Sequence, residues 1–328
     1  MNMFQNIKGN QSAKEYFSRS ITTGQLSHSY IFEGPYGVGK NTFAIELAKT
    51  IMCEAEGDEP CNVCEACHMI DAKTHPDLIV IEKDTNVTKV DNIRDNLIRE
   101  MGIKPYRSKH KIVIVKAADT VNVQGQNAML KTIEEPPSYG IVILVCENAA
   151  SLLPTIRSRC INVRFNPLNK AETDMYLQER GVSGTRKEVM NKLSSGSIGV
   201  INDILEDEHY MEVRSQAIGL LEKLDAANLI DMYDLVKEIT EAKEDLEQIL
   251  QFWLLWYRDV AVCKMVKSND LYYLDYQKQL LDMSSKLTYN KVSQNIGHIK
   301  KAILDIKQNI YSTFVIENLL LQMKESKK

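Results

Sequence analysis

Four cysteines, Cys53, Cys61, Cys64 and Cys67, follow one another with seven, two and two residues between them. A C-x-x-C turn directs two thiolates at one ion, and four sulfurs close a tetrahedral shell with no position left for water. Such a set is structural rather than catalytic, and Zn²⁺ is its expected occupant. An iron–sulfur cluster would use similar ligands, and disulfides are disfavoured in a reducing compartment. Gly57 and Pro60 supply the chain reversal that returns Cys53 to the others, and His68 reads as a bystander. Cys146, Cys160 and Cys263 lie in apolar surroundings and read as buried thiols.

A second set lies just upstream. Gly34-Pro35-Tyr36-Gly37-Val38-Gly39-Lys40-Asn41-Thr42 carries the G-x(4)-G-K frame between a strand pattern and a helix pattern. The glycines let backbone N–H groups converge on phosphate oxygens at a helix N-terminus, and Lys40 can reach the β and γ phosphates. A glycine-rich turn that binds nothing is the competing reading. Asn41 stands where a Ser or Thr hydroxyl would ligate Mg²⁺, and Thr42 comes one residue late. Hydrolysis also needs an acidic pair at the end of a neighbouring strand. Here the candidate strand Lys111 to Val115 ends in Lys116-Ala117-Ala118-Asp119, a lysine for the metal carboxylate and an alanine for the base. Two unit charges about 4 Å apart at an effective dielectric near 20 interact by roughly 4 kcal/mol, so Lys116 opposes a metal there unless it turns away. The frame keeps its phosphate-binding backbone and lacks the groups for hydrolysis.

These residues need a scaffold that brings them together. Short apolar runs at Ser29 to Phe32, Leu78 to Ile81, Ile112 to Val115 and Ile141 to Val145 suit a sheet buried on both faces. Helical patterns at Gln11 to Thr23, Thr42 to Met52 and Val90 to Met101 alternate with them, which predicts a parallel α/β domain. After Phe165 the pattern changes. Asn166-Pro167-Leu168-Asn169 reads as a linker with Asn169 as a helix N-cap, and a small helical unit punctuated by Gly181, Gly184, Gly196 and Gly199 runs to about Leu205. Stripes at Ile249, Leu250, Trp253, Trp256 and Val260, and at Ile299, Ala302, Ile303, Ile306, Ile310 and Phe314, mark core-facing sides of later helices. The expected division is an α/β domain over 1–165 with the cysteine module at 53–67, a helical domain over 166–206 and an all-α domain over 207–328.

Composition narrows the function. Net charge is −4 over 328 residues, which excludes a chain coated in basic charge, so any contact with nucleic acid is local or made through partners. Hydrophobic content of 44% and charged content of 26% exclude global disorder. Apolar runs such as Phe252 to Tyr257 fall far short of the ~18 residues needed to span a bilayer. Met1 to Gly9 has no basic stretch leading into an apolar core, so no signal peptide and a cytoplasmic location are expected.

Downstream of these segments come Asn127-Ala128-Met129-Leu130-Lys131-Thr132-Ile133-Glu134-Glu135-Pro136-Pro137 and Ser158-Arg159-Cys160. In this order the motifs resemble the clamp-loader branch of the AAA+ ATPases over about the first 205 residues. His28-Ser29-Tyr30, His75-Pro76-Asp77-Leu78 and Trp256-Tyr257-Arg258-Asp259 extend the resemblance more loosely along the chain. It implies an AAA+ phosphate-loop domain with a zinc-binding insert, a small helical lid and an all-α C-terminal collar. The family's motor subunits, gamma and tau, carry a magnesium-binding threonine and an Asp-Glu pair where Asn41, Lys116 and Ala117 stand here. Gly199 takes the place of a lid arginine, while Ser158-Arg159-Cys160 is intact.

The resemblance therefore implies a non-motor stator subunit of the bacterial replication clamp loader. Arg159 would serve a neighbour as an arginine finger in trans, with no catalytic residue in cis, and is expected near the nucleotide side of the sheet. A surface salt bridge is its alternative role, and Arg157 is less favoured. Gly34, Gly37, Gly39, Lys40, Asn41 and Thr42 would hold ATP or ADP without hydrolysis, and Zn²⁺ would sit on the four cysteines. The implied partners are gamma/tau and delta subunits in a heteropentamer, with the sliding β clamp and primed DNA met through the complex and no membrane. The isolated chain would lack ATPase and polymerase activity while belonging to a DNA-directed DNA polymerase holoenzyme. Two other functions stay open: a self-sufficient gamma/tau-like ATPase using Asp119 or Glu147, and a zinc-dependent DNA-binding module using Arg94, Arg99, Lys104, Arg107, Lys109 and Lys111.

Overall fold

The computed structural model describes residues 4, 7–55, 59–82, 93–206, 208–265, 271–308 and 310–325. Gly57, Val90, Asp207 and the side chain of Arg94 lie outside the described residues. The chain divides into two compact units, Met1–Tyr176 with Ser195–Val200, and Leu177–Ser194 with Ile201–Lys328.

The first unit is built on five parallel strands, β1 (Ser29–Glu33), β2 (Leu78–Ile81), β3 (Lys111–Val115), β4 (Gly140–Cys146) and β5 (Ile161–Arg164), in the order β2-β3-β4-β1-β5. In register, Ile31 faces Leu144 across β1 and β4, and Val113 faces Val142 across β3 and β4. Alternate residues serve two separate cores. Tyr30, Phe32, Ile112 and Ile143 join Phe17, Phe43 and Phe165 on one face. Ile31, Val113, Val115 and Leu144 join Leu97, Met129 and Ile133 on the other. Helices cover both faces, which is why the inner strands read as unbroken apolar runs.

Three boundaries differ from the sequence expectation. The strand β5 has no such run and buries only Val163 of its four residues, whereas the other edge strand, β2, is apolar throughout although only Ile81 is fully buried. The helix expected from Thr42 begins at Lys40, continuous with the phosphate loop. Within the expected Val90 to Met101 helix, the described part is a π-helical turn, Arg94–Ile98, followed by Arg99–Met101. Its apolar residues Ile93, Leu97 and Met101 are all buried at a spacing of four. That spacing drifts around a 3.6-residue helix, and a wider turn keeps the three side chains on one face. Asn169 caps helix Lys170–Glu179 reciprocally: its Oδ1 accepts the Glu172 N–H at 3.0 Å, and the Glu172 carboxylate accepts the Asn169 N–H at 2.9 Å.

The second unit is all-helical. Helix Leu246–Met265 packs against Glu208–Ala226, Gln277–Lys286 and Tyr289–Lys307. Its stripe of Ile249, Leu250, Trp253, Trp256 and Val260 is fully buried, and the Trp253 indole donates to the Ala217 carbonyl at 2.8 Å. These tryptophans are core, as the stripe predicted. The second stripe holds only in part: Ile299, Ala302 and Ile303 are buried, whereas Ile310 and Phe314 are exposed because helix Tyr289–Lys307 ends before them. No helix among the described residues is long and apolar enough to cross a membrane.

Candidate phosphate loop and metal centre

Helix Lys40–Met52 links the two candidate sites, with the phosphate loop at its N-terminus and Cys53 directly after its C-terminus. The Sγ atoms of Cys53, Cys61, Cys64 and Cys67 all lie within 4.8 Å of one another. Cys53 and Cys64 sulfurs are 3.9 Å apart, close to the ~3.8 Å edge of a tetrahedron built on Zn–S bonds of ~2.3 Å. Backbone amides orient the sulfurs: the Cys61 N–H donates to Cys53 Sγ at 3.3 Å and the Cys64 N–H to Cys61 Sγ at 3.2 Å. Cys64 also caps helix Glu65–Asp71 by accepting the Cys67 N–H. The amides of Val63 and Cys64 hold the Cys61 thiol down to about 6. At Cys64 burial works upward, but the amides of Glu54 and Cys67 prevail and lower it. Burial raises Cys67. Four sulfurs, the metal-binding group found among the described residues, fit a soft divalent ion such as zinc. His68 is exposed and outside the group. Burial pushes the Cys146 and Cys160 thiols up to about 12, and also raises the half-buried Cys263.

A residue that sequence reasoning placed in a basic cluster fastens this module to the sheet. Asp77, fully buried at the start of β2, accepts N–H bonds from Tyr106, Arg107 and Ser108 at 2.6, 2.8 and 2.8 Å. Those three amides hold its carboxyl low despite burial. The Arg107 side chain, so positioned, pairs with Glu54 at 2.8 Å and Glu65 at 2.6 Å, one on each side of the cysteine loop. Lys111 is likewise internal, 3% exposed and paired with Glu100. Arg99, Lys104 and Lys109 are exposed, as is Arg107 despite its ion pairs.

The phosphate loop is folded onto itself. Lys40 Nζ donates to the carbonyls of Gly34 at 2.5 Å and Pro35 at 2.6 Å. Burial lowers its pKa, an effect opposed by Glu147, Cys146 and Asp119. Gly37 has φ +73°, and a Cβ there would lie 2.2 Å from Ser197 Oγ. Gly199 approaches from the same side, its N–H on the Gly37 carbonyl at 2.8 Å, and a Cβ on Gly199 would lie 2.5 Å from Gly37 Cα. Ser197 Oγ donates to the Tyr36 carbonyl at 2.9 Å. Asn10 Nδ2 donates to the Val38 carbonyl at 3.2 Å while its Oδ1 accepts the Asn166 N–H at 2.8 Å. Asn41 and Thr42 are exposed. Lys116 is turned into a 2.6 Å ion pair with Glu82, and Asp119 accepts the Glu147 N–H at 3.1 Å.

Arg159 corrects an expectation. Ile161, two residues on, pairs with Tyr30 near the start of β1, so Arg159 precedes β5 at the sheet end opposite this chain's own phosphate loop. The direction of parallel strands dictates this: the loop follows β1, whereas Arg159 leads into β5. Its Nε meets Glu134 Oε1 at 3.0 Å, and Nη1 donates to the Thr155 carbonyl at 3.0 Å and Ser158 Oγ at 3.3 Å. The side chain remains 42% exposed. Arg157 is exposed at the end of Pro154–Arg157.

The parallel sheet, phosphate loop, four-cysteine cluster and helical C-terminal region match the AAA+ clamp-loader fold. Residues 9–169 match the family model described as DNA polymerase III, delta subunit. Over 309 residues the chain is 28% identical to DNA polymerase III subunit delta' of Bacillus subtilis, covering 93% of each protein. It is 29% identical over 286 residues to the tau subunit of the same organism, covering 80% of this chain and 50% of that protein. A DNA polymerase III gamma subunit-related protein from Thermotoga maritima shares the fold, with TM-score 0.52, 18% identity and coverage of 96% of this chain and 99% of that one.

Proposed function

We propose that this chain is a non-motor, delta'-like stator subunit of a bacterial clamp loader, and that it helps load a sliding β clamp onto primed DNA. The observation that carries the reading is the inward-turned phosphate loop, with Lys40 on its own loop carbonyls and Lys116 paired with Glu82 where hydrolysis needs a metal carboxylate. Gly34, Gly37, Gly39, Lys40, Asn41 and Thr42 hold at most an unhydrolysed ATP or ADP. Catalysis is instead lent outward. Arg159 faces away from this chain's loop, exposed enough to exchange Glu134 for the γ-phosphate of an adjacent subunit. An arginine supplied in this way is worth ~10³ to 10⁵ in rate.

In this reading the four cysteines hold structural Zn²⁺. Residues 166–206 act as a lid and 207–328 as a collar, and the partners are gamma/tau and delta subunits in a cytoplasmic heteropentamer. Nucleotide binding and hydrolysis by the isolated chain, beside the reconstituted complex, test it. No turnover alone, with Arg159→Ala lowering turnover of the complex, is the expected result. The likeness to a tau subunit and the Asp119 and Glu147 charges near Lys40 favour one alternative, a self-sufficient ATPase. Hydrolysis by the isolated chain that Lys40→Ala abolishes would establish that alternative.

A further inference from the structure

Two of the sequence signatures meet in one ion pair. Glu134 belongs to the segment Asn127 to Pro137 and Arg159 to Ser158-Arg159-Cys160, and Arg159 Nε lies 3.0 Å from Glu134 Oε1. Both partners are carried on fixed supports. Helix Val123–Glu134 buries Met129, Thr132 and Ile133. Near its start, the Gln126 side chain accepts the Leu153 N–H at 2.8 Å and donates to the Ser151 carbonyl at 3.3 Å. Those bonds hold the turn Pro154–Arg157, and Arg159 after it, against the helix. At the other end Pro136 and Pro137 stop the helix just beyond Glu134. A carboxylate on the last helical residue sits at the negative pole of the helix, so local helix stability gives no reason for an acid there.

The guanidinium is only partly engaged. Nη1 donates to the Thr155 carbonyl at 3.0 Å and to Ser158 Oγ at 3.3 Å, which sets the plane of the group. Nη2 has no partner among the described residues. Nε and Nη2 form one fork of the guanidinium, able to take a carboxylate or a phosphate through two parallel bonds. Glu134 meets that fork at Nε alone. A phosphate entering at the open Nη2 would complete the fork by taking Nε from Glu134. It would gain two charge-assisted bonds at the expense of one exposed ion pair, which is weak in water.

We propose that Glu134 is a positioning residue for Arg159: an internal stand-in for phosphate that parks the guanidinium in the free chain and gives way when an adjacent subunit presents ATP. The inference rests on the trans-arginine reading above. Glu134 opposes the phosphate equally before and during transfer, so it acts on binding rather than on the chemical step. ATP turnover of the reconstituted complex, followed across ATP concentration, tests it. Glu134→Gln keeps the shape of the side chain and removes its charge. It should lower the ATP KM of the complex about threefold, within what an exposed ion pair contributes, and leave kcat unchanged. On an Arg159→Ala background the same substitution should leave KM where it was. An unchanged or raised KM, a lowered kcat, or a KM that still falls in the absence of Arg159 would each overturn this role of Glu134 and leave the role of Arg159 standing. Turnover that Arg159→Ala fails to lower would overturn the trans-arginine reading, and this inference with it.

Discussion

One helix, Lys40–Met52, carries a phosphate-loop sequence at one end and a four-cysteine candidate metal centre at the other, and the two ends are in different condition. The candidate metal centre draws its four cysteines from fifteen residues of chain, 53–67, and brings all four sulfurs together. A phosphate site would draw groups from the loop, the end of β3 and the segment around Gly199; here Lys40 turns onto its own loop, Lys116 pairs with Glu82 and Gly199 packs on Gly37. A chelate made by one segment is kept or lost as a whole. A site assembled from several segments can lose its chemistry piecemeal while its backbone stays folded.

The largest effect expected from breaking this comparison is metal removal. Structural zinc contributes ~10 kcal/mol or more to folding of small modules. A strong chelator should raise hydrogen exchange through the 53–71 region, and through Tyr106 to Ser108, because Arg107 loses Glu54 and Glu65 together. The all-helical unit should keep its protection. Unchanged exchange at Cys61 and Cys64 would remove the metal from the account.

Next in size is Arg159→Ala. As an exposed ion pair it should change the melting temperature by less than ~1 kcal/mol equivalent. In the reconstituted complex it should lower turnover at the adjacent site by on the order of 10³-fold. Lys40→Ala in the same complex should leave turnover as it was. Equal effects of the two substitutions would erase the contrast between lent and resident chemistry.

The aspartates beneath the two units extend the comparison to pH. Asp77→Ala removes the shared acceptor of three backbone N–H groups and should cost ~3 kcal/mol in urea unfolding. With the folded carboxyl held below its ordinary value, Asp77 stabilises above the unfolded pKa, and that stability is lost as pH falls through the folded one. Asp259, equally buried, is raised by desolvation despite Arg258 at 2.8 Å and the Tyr273 N–H at 2.9 Å. Its ionised form is penalised above the raised pKa, so acidification relieves rather than costs stability there. Urea midpoints of Asp77→Asn and Asp259→Asn followed from pH 7 to pH 3 should shift in opposite senses against the unmodified chain. The smallest effect belongs to Gly199→Ala, where a Cβ 2.5 Å from Gly37 Cα should cost ~1–3 kcal/mol by overpacking. A melting temperature equal to that of the unmodified chain would mean that the contact yields without cost.

Much of the scaffold was legible from periodicity, because the three inner strands are buried on both faces and announce themselves as apolar runs, and the edge strand β2 keeps such a run with only Ile81 fully buried. The edge strand β5 was silent because it carries no such run, with a single buried side chain. The cysteine spacing was readable because every ligand is local. Arg107 was not, since its role depends on Asp77 thirty residues earlier and on Glu54 and Glu65 earlier still. Its charge alone pointed to solvent or nucleic acid. The position of Arg159 on the sheet was misjudged because its motif gives the residue but not the direction of β5. The turning of Lys40 onto its own loop has no sequence signal at all.

Asn10 bears on a matter of timing. Its two side-chain bonds join Val38 and Asn166, 28 and 156 residues away along the chain, and it sits in a left-handed conformation at φ 51° to reach both. Links of such span close after local structure has formed, since their loop entropy must be met first. Asn10→Ala should therefore leave the refolding rate of the first unit nearly unchanged and speed its unfolding. One asparagine would then govern how long the folded phosphate loop persists, not how quickly it is made.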